Sequence, residues 1–157
     1  MSRNAGRLDD QRIRDYGRLV ETQRRLHRAF DRSLRAKIGI SIVWYEALLR
    51  LARSAGRQMG ITELGEALVL TSSGATRLVD RLEEGGYIER VPCPTDRRVL
   101  WARLTERGLE VLVAATDVHL VDLQHLFSSR FSATELRTLR ELLSRLDGAD
   151  ERNVTPA

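Results

Sequence analysis

Residue types that catalyse reactions or bind metal ions are few in this sequence, and their spacing suits neither task. It contains three histidines, His27, His119 and His125, and one cysteine, Cys93. On a helix, His119 and His125 are rotated by about 240° from each other, so they do not share a face as an i, i+4 zinc pair does. No HExxH motif, Ser/His/Asp order or glycine-rich phosphate loop occurs. The sequence therefore predicts no enzyme active site, no metal and no cofactor.

A second set of polar residues suits hydrogen bonding to another molecule. Ser73, Thr76 and Arg77 fall on one side of a predicted helix, with Ser72 at its start and Arg81 on its flank. Small hydroxyl residues let a helix approach base edges in a major groove, and an arginine reaches a guanine edge or a phosphate. Backbone N–H groups at the helix start can also face a phosphate. The opposite side of this helix is apolar and consists of Ala75, Leu78, Val79 and Leu82.

An ordinary solvated surface is the alternative interpretation of this polar side. Asp80 lies among the same residues, and a carboxylate opposes deep insertion between phosphates. Net charge does not distinguish DNA binding from a solvated surface, because the total of +4 comes from the N-terminal residues. Residues 1–37 hold 11 basic and 5 acidic side chains, whereas residues 71–157 hold 12 basic and 14 acidic ones. The prediction of DNA binding therefore rests on pattern rather than on charge.

Length and composition indicate one folded domain with a core of its own. The 157 residues are 42% hydrophobic and 31% charged, which excludes a disordered chain. No apolar run approaches the ~18 residues that span a bilayer, and residues 1–10 lack the apolar core of a signal peptide. A single cysteine cannot form an internal disulfide. We therefore predict a cytoplasmic protein without a membrane partner.

Apolar residues recur every three or four positions along most of the chain and then give way to a β pattern. Two β-prone runs, at about 87–91 and 99–104, flank a turn-rich connector. A short helix, a turn, a longer helix and a β-ribbon in this order are typical of a winged helix-turn-helix. The fold class is thus mainly α, with a small two- or three-stranded β-wing. Two predicted helices run from about Leu8 to Ala36 and from Ile42 to Ala55. A short third helix begins after Gly60 with Thr62 as candidate N-cap, and a fourth runs from Ser72 to Glu84. The last two begin at a cap at Thr105 and at a Ser132–Glu135 capping box, and the second of these reaches Leu146.

The stretch from Thr71 to Ile88 resembles the recognition helix of the MarR family of transcriptional regulators. Asp96-Arg97-Arg98, followed by Leu-Thr-Glu-Arg-Gly at 104–108, resembles that family's wing signature of Asp-x-Arg and then Leu-Thr-x-x-Gly. The resemblance extends over about 10–147. It implies a homodimer whose first, fifth and sixth helices interlock, so that two winged modules read a pseudo-palindrome in double-stranded DNA. The implied organisation is a single domain over 1–157, with dimerisation helices at about 8–38 and 105–147, a DNA-binding module at about 42–104 and a frayed tail at 148–157.

The resemblance also implies roles for particular residues. Arg98 of the wing enters the minor groove, Asp96 braces the wing, and Arg97 contacts a phosphate. Many relatives bind a small aromatic or anionic effector in a cleft between the dimer helices and the winged module. Placement in the core is the alternative for the residues that would line this cleft, which are Tyr16, His27, Phe30, Trp44 and Tyr45.

Together these observations predict a sequence-specific DNA-binding transcriptional regulator. The resemblance implies a repressor, because members of that family are more often repressors than activators. It binds its operator as a homodimer and is released by a small-molecule effector if it has one. The alternative is a protein-interaction module that uses the winged-helix surface. Salt dependence separates the two, because phosphate contacts make affinity fall steeply with salt concentration.

Overall fold

The computed structural model of the protein describes residues 8–93 and 99–147. These divide into two compact units, one that ends at His119 and one that begins at Leu120. The division falls within one helix. Within the described ranges, no helix is both long and apolar enough to cross a membrane.

Helices dominate the first unit, which also contains a three-stranded antiparallel sheet. The sheet order is β1-β3-β2, with Ala102 of β3 opposite Met59 on one side and Arg90 on the other. The predicted mainly helical fold with a small β-wing is confirmed. The elements are α1 (Gln11–Lys37), α2 (Ile42–Arg53), β1 (Gln58–Gly60), α3 (Ile61–Ala67), α4 (Ser72–Glu84), β2 (Ile88–Pro92), β3 (Leu100–Leu104), α5 (Glu106–Leu126), which continues into the second unit, and α6 (Ala133–Asp147).

The sequence prediction misses β1 and misplaces the start of α3. Thr62 is not the N-cap, because α3 begins at Ile61 with Gly60 as its cap. Gly60 also ends β1 and pairs with Trp101, so the chain passes from strand to helix with no loop between them. A strand of three residues is too short to show an alternating pattern. The wing is consequently a sheet of three strands rather than a simple hairpin.

Two helix ends also differ from the prediction. Asp10 caps α1, because its carboxylate accepts from the Arg12 N–H at 2.8 Å, and the helix therefore begins at Gln11 rather than near Leu8. The second helix ends before Ala55, because Ser54 turns to an extended backbone. The Ser54 hydroxyl is within hydrogen-bonding distance of two carbonyl oxygens, at 2.7 and 2.9 Å, on either side of this turn. Capping side chains thus set both boundaries.

A buried core in the first unit holds α4 against its neighbours. The apolar side that the sequence predicts for α4 is buried, with Val79 and Leu82 fully so. At the junction of α1 and α2, the Asp31 carboxylate accepts from the Ile42 N–H at 2.9 Å and from Arg35 at 2.7 Å. Partial burial raises the pKa of Asp31, but these hydrogen bonds outweigh it and hold the pKa below its usual value. The largest fully buried side chains of the core are Leu34, Ile40, Leu48, Leu51, Leu64, Val79, Leu82 and Ile88.

The start of α5 is fixed to the backbone that follows α4. Thr105 donates its N–H to the Tyr87 carbonyl at 3.1 Å and its hydroxyl to the Gly86 carbonyl at 2.8 Å. The same hydroxyl accepts from the Gly108 N–H at 3.0 Å, which confirms Thr105 as the predicted cap. A Cβ at position 108 would lie 2.0 Å from the Tyr87 carbonyl oxygen. The Thr and Gly of the Leu-Thr-x-x-Gly sequence therefore make this close contact possible.

The second unit contains the last part of α5 and the whole of α6. The predicted capping box is present, because Glu135 accepts from the Ser132 N–H at 2.8 Å and its own N–H donates to the Ser132 hydroxyl at 3.3 Å. The backbone and side-chain hydrogen bonds from Ser132 lower the pKa of Glu135. Ahead of this cap, Phe127 and Phe131 pack edge to face at 5.5 Å. Local capping and ring packing thus define the turn into α6.

We expect Gly108→Ala to lower the free energy of unfolding by about 1–3 kcal/mol, because the new methyl group overlaps the Tyr87 carbonyl. Gly17→Ala is the matched control. Gly17 also lies in a helix, but a Cβ there meets nothing within 4 Å. Gly17→Ala should therefore raise the free energy of unfolding by up to about 1 kcal/mol. Urea unfolding of both variants measures the difference. Equal stability changes would contradict the close contact.

Candidate nucleic-acid interface

The turn between α3 and α4 is a Schellman motif with an unusual residue at its centre. The Leu70 N–H donates to the Gly65 carbonyl at 2.9 Å, and the Val69 N–H donates to the Glu66 carbonyl at 3.0 Å. Val69 has a φ of 54°, in the left-handed region where glycine or asparagine is usual, and it is 93% exposed. The sequence lacks the expected glycine, so residue type alone does not mark this turn.

Small side chains let α3 and α4 cross at close range. Gly65 and Ala75 face each other, and a Cβ on Gly65 would lie only 2.6 Å from the Ala75 Cβ. Both residues are buried. The angle and height of α4 above α3 therefore depend on the absence of a side chain at Gly65.

The start of α4 displays hydroxyl groups to solvent. Thr71 caps the helix by accepting from the Gly74 N–H at 3.2 Å. The Thr76 hydroxyl donates to the Ser72 carbonyl at 3.0 Å, one turn back. Ser72, Ser73 and Thr76 are all exposed. The structure thus brings the predicted hydroxyl residues together on one face and adds Thr71, which sequence reasoning did not include.

Arg77 and Arg81 continue this exposed face toward the end of α4. Within residues 8–93 and 99–147, neither guanidinium forms a hydrogen bond or an ion pair with another side chain. The five predicted contact residues on α4 therefore share an accessible surface. Two of them carry a positive charge that is not neutralised within the described part of the chain.

Arg90 of β2 reaches α4 and binds two of its carboxylates. Its Nη2 atom lies 2.5 Å from Asp80 Oδ1, and its backbone N–H donates to Glu83 Oε1 at 3.0 Å. Its Nη1 atom donates to Glu83 Oε2. Partial burial lowers the pKa of Arg90, but the two carboxylates outweigh it and raise the pKa above its ordinary value. Sequence reasoning missed this network, because nothing in the helix pattern predicts a partner on the following strand.

The wing strands pair along their length, and their tip lies outside the described residues. Strands β2 and β3 are in register from Ile88↔Leu104 to Pro92↔Leu100. The buried Cys93 then donates its N–H to the Val99 carbonyl at 2.8 Å. The predicted wing residues, Asp96, Arg97 and Arg98, fall in the segment that the structure does not describe. Their roles remain predictions from the resemblance.

The residues predicted to line an effector cleft do not form one cluster in the chain. The rings of Phe30 and Tyr45 pack against His119, at 4.8 and 5.0 Å between centroids, and both residues are buried. Trp44 packs edge to face against Tyr87 at 5.9 Å. The remaining two differ in burial: His27 is half-buried, and Tyr16 is 70% exposed. Nothing in the described chain tests whether an effector binds here, so the cleft remains a prediction.

A helix-turn-helix with hydroxyls and arginines on its second helix, followed by a β-wing, defines a winged helix-turn-helix protein. Comparison with known proteins identifies the group within this class. A sequence profile of the MarR family matches residues 38–99. The transcriptional repressor MprA of Escherichia coli K12 is 37% identical over 120 residues, which cover 74% of this chain and 68% of MprA. The chain belongs to the MarR family of transcriptional regulators.

Solved structures of the same family have a similar fold. The MarR-family regulator Sco3205 of Streptomyces coelicolor, determined in complex with DNA, has a TM-score of 0.78 at 28% identity, covering 90% of this chain and 89% of Sco3205. A mutant of E. coli MarR complexed with operator DNA has a TM-score of 0.71 at 26% identity, covering 86% and 95% of the two chains. The chain is thus similar to members of the family over most of its length.

We expect Gly65→Ala to lower the free energy of unfolding by about 1–3 kcal/mol, because its methyl group overlaps that of Ala75. In an Ala75→Gly background the overlap is absent, so the same change should cost less there. A double-mutant cycle measured by urea unfolding gives the coupling between the two positions. Additive effects would argue against close contact between α3 and α4.

Proposed function

We propose that the protein is a sequence-specific repressor of transcription that binds a pseudo-palindromic operator as a homodimer and catalyses no reaction. The observation that carries this proposal is the exposed hydroxyl and arginine face of α4, whose two arginines have no partner within the described residues. Membership of a family of transcriptional regulators supports it. So does the similarity to Sco3205 and E. coli MarR, each of which has been solved in complex with DNA. The site of action we propose is the cytoplasm, where the operator would lie.

Each of the five predicted contact residues on α4 has a role in this proposal. Ser72 and Ser73 at the helix start bind a phosphate through backbone N–H groups and hydroxyls. Thr76 and Arg77 face the base edges in the major groove. Arg81, one turn nearer the end of the helix, contacts the phosphate backbone. The first part of α4 thus reads sequence, and Arg81 adds affinity that does not depend on sequence.

The wing and the effector cleft complete the proposal, on the strength of the family resemblance. Arg98 enters the minor groove, where a narrow groove concentrates negative potential. Asp96 braces the wing, and Arg97 contacts a phosphate. A small aromatic or anionic molecule bound beside the buried Phe30 and Tyr45 would release the repressor from DNA.

Exposed apolar faces support the homodimer. Ile13, Tyr16 and Leu19 of α1 are 50–70% exposed, although large apolar side chains favour burial. The predicted leucine stripe of α6 is also uncovered, with Leu143 at 43% and Leu146 at 61% exposure. A second copy of the chain would bury both faces, as helices do in intermolecular bundles.

Selection of bound sequences from a random pool of duplex DNA tests the proposal. A dimeric repressor should enrich a two-fold symmetric site whose half-sites are centred about 10 bp apart. Log affinity should fall linearly and steeply with log salt concentration. Enrichment of no sequence, together with salt-independent binding of a protein partner, would favour the protein-interaction alternative.

Arg77→Ala and Arg81→Ala should differ in their effect on specificity. We expect Arg77→Ala to cost about 1–3 kcal/mol more on the selected site than on scrambled DNA, because it removes a contact to a base. Arg81→Ala should weaken binding to both DNAs alike, because it removes a phosphate contact. Titration of each variant against both DNAs measures the difference. Equal losses on both DNAs for both variants would contradict the assignment of Arg77 to base reading.

We expect Leu143→Glu to convert the dimer into monomers at micromolar concentration, because the carboxylate would be buried without a partner. Val69→Glu is the matched control, since Val69 is also exposed but lies in the turn before α4. Light scattering of both variants gives the oligomeric state. A dimeric Leu143→Glu variant would show that α6 does not form the interface.

A further inference from the structure

Asp80 stands out on α4 because its charge opposes the proposed task of that helix. At 100° per residue it lies between Ser73 and Thr76 around the helix axis and is rotated only 60° from Arg77. Its side chain is 56% exposed. A carboxylate in this position faces the same way as the groups proposed to contact DNA, where it would be repelled by phosphates.

Arg90 neutralises the charge of Asp80 by forming an ion pair with it. Its side chain is only 22% exposed, and two hydrogen bonds to Glu83 hold it, one from the backbone N–H and one from Nη1. The remaining arm of the guanidinium, Nη2, lies 2.5 Å from Asp80 Oδ1. Arg90 therefore neutralises Asp80 from a fixed position on β2 rather than from a mobile surface side chain.

We propose that Arg90 is a positioning residue for DNA binding, which holds the Asp80 carboxylate in an ion pair and thereby keeps a free negative charge off the DNA-facing side of α4. The inference rests on the proposed function. Arg90 acts through Asp80 and does not itself contact DNA. A merely structural tie between β2 and α4 is the competing explanation, and it predicts a different result when Asp80 is also changed.

A mutant cycle separates the two explanations. We expect Arg90→Gln to weaken binding to the selected operator by about tenfold, because like charges then face each other across the interface. The slope of log affinity against log salt should also become shallower by up to about one unit. Asp80→Asn alone should bind at least as tightly as the wild type. The double variant should recover the affinity and the salt slope of Asp80→Asn.

Glu83 provides the matched control. Glu83→Gln also removes a carboxylate that Arg90 binds, but its side-chain oxygen can still accept the Arg90 N–H. Glu83→Gln in the Arg90→Gln background should not recover DNA binding, because the Asp80 carboxylate is still without Arg90 there. Glu83 is itself less exposed than Asp80, at 38% against 56%, and lies about 120° from Arg77 around the helix axis. Urea unfolding of every variant records the structural contribution separately, because removal of Asp80 should not restore stability that Arg90→Gln has lost.

Each outcome decides between the explanations. Recovery of affinity by Asp80→Asn but not by Glu83→Gln supports the proposal. If Arg90→Gln binds as tightly as the wild type, or if its loss persists in the Asp80→Asn background, Arg90 does not act through Asp80 and the proposal is wrong. If the wild-type protein enriches no sequence from the random pool, the proposed function fails, and this inference fails with it.

Discussion

The contact between the first turn of α5 and the backbone after α4 is the constraint on which the winged module depends. Gly86, with a φ of 73°, ends α4, and Tyr87 leads into β2. Thr105 binds the carbonyl groups of both residues, and Gly108 lets the two segments approach because it has no side chain. The end of the recognition helix, the start of the wing and the start of the next helix therefore meet at one point.

Two further contacts hold α4 from other directions. The pair Gly65 and Ala75 sets its distance from α3, and Arg90 fixes its exposed side to β2. The apolar side of the helix is buried in the core. With its end, its buried side and one flank held, α4 presents its polar groups from a rigid element. Rigid presentation favours affinity, because less conformational freedom is lost when DNA binds.

Sequence patterns predict the parts of this fold that depend on local interactions. The bounds of α4 and its buried side follow from apolar spacing, and the caps at Thr105 and Ser132 follow from hydroxyl chemistry within one turn. Strand β1 could not be predicted, because its stability comes from pairing with residues 41 to 45 positions later in β3 rather than from its own three residues. The left-handed Val69 and the contacts of Arg90 are also missed, since tertiary context imposes the first and brings together the second.

The hydrogen bond from the Thr76 hydroxyl to the Ser72 carbonyl determines what Thr76 offers to a base. With its proton directed back along the helix, the side chain presents an oxygen lone pair and a methyl group outward. A lone pair accepts from the exocyclic amino groups of adenine or cytosine, and a methyl group packs on that of thymine. The acceptor-only edge of guanine matches neither. In the proposed complex, the base that Thr76 contacts should therefore be adenine, cytosine or thymine rather than guanine.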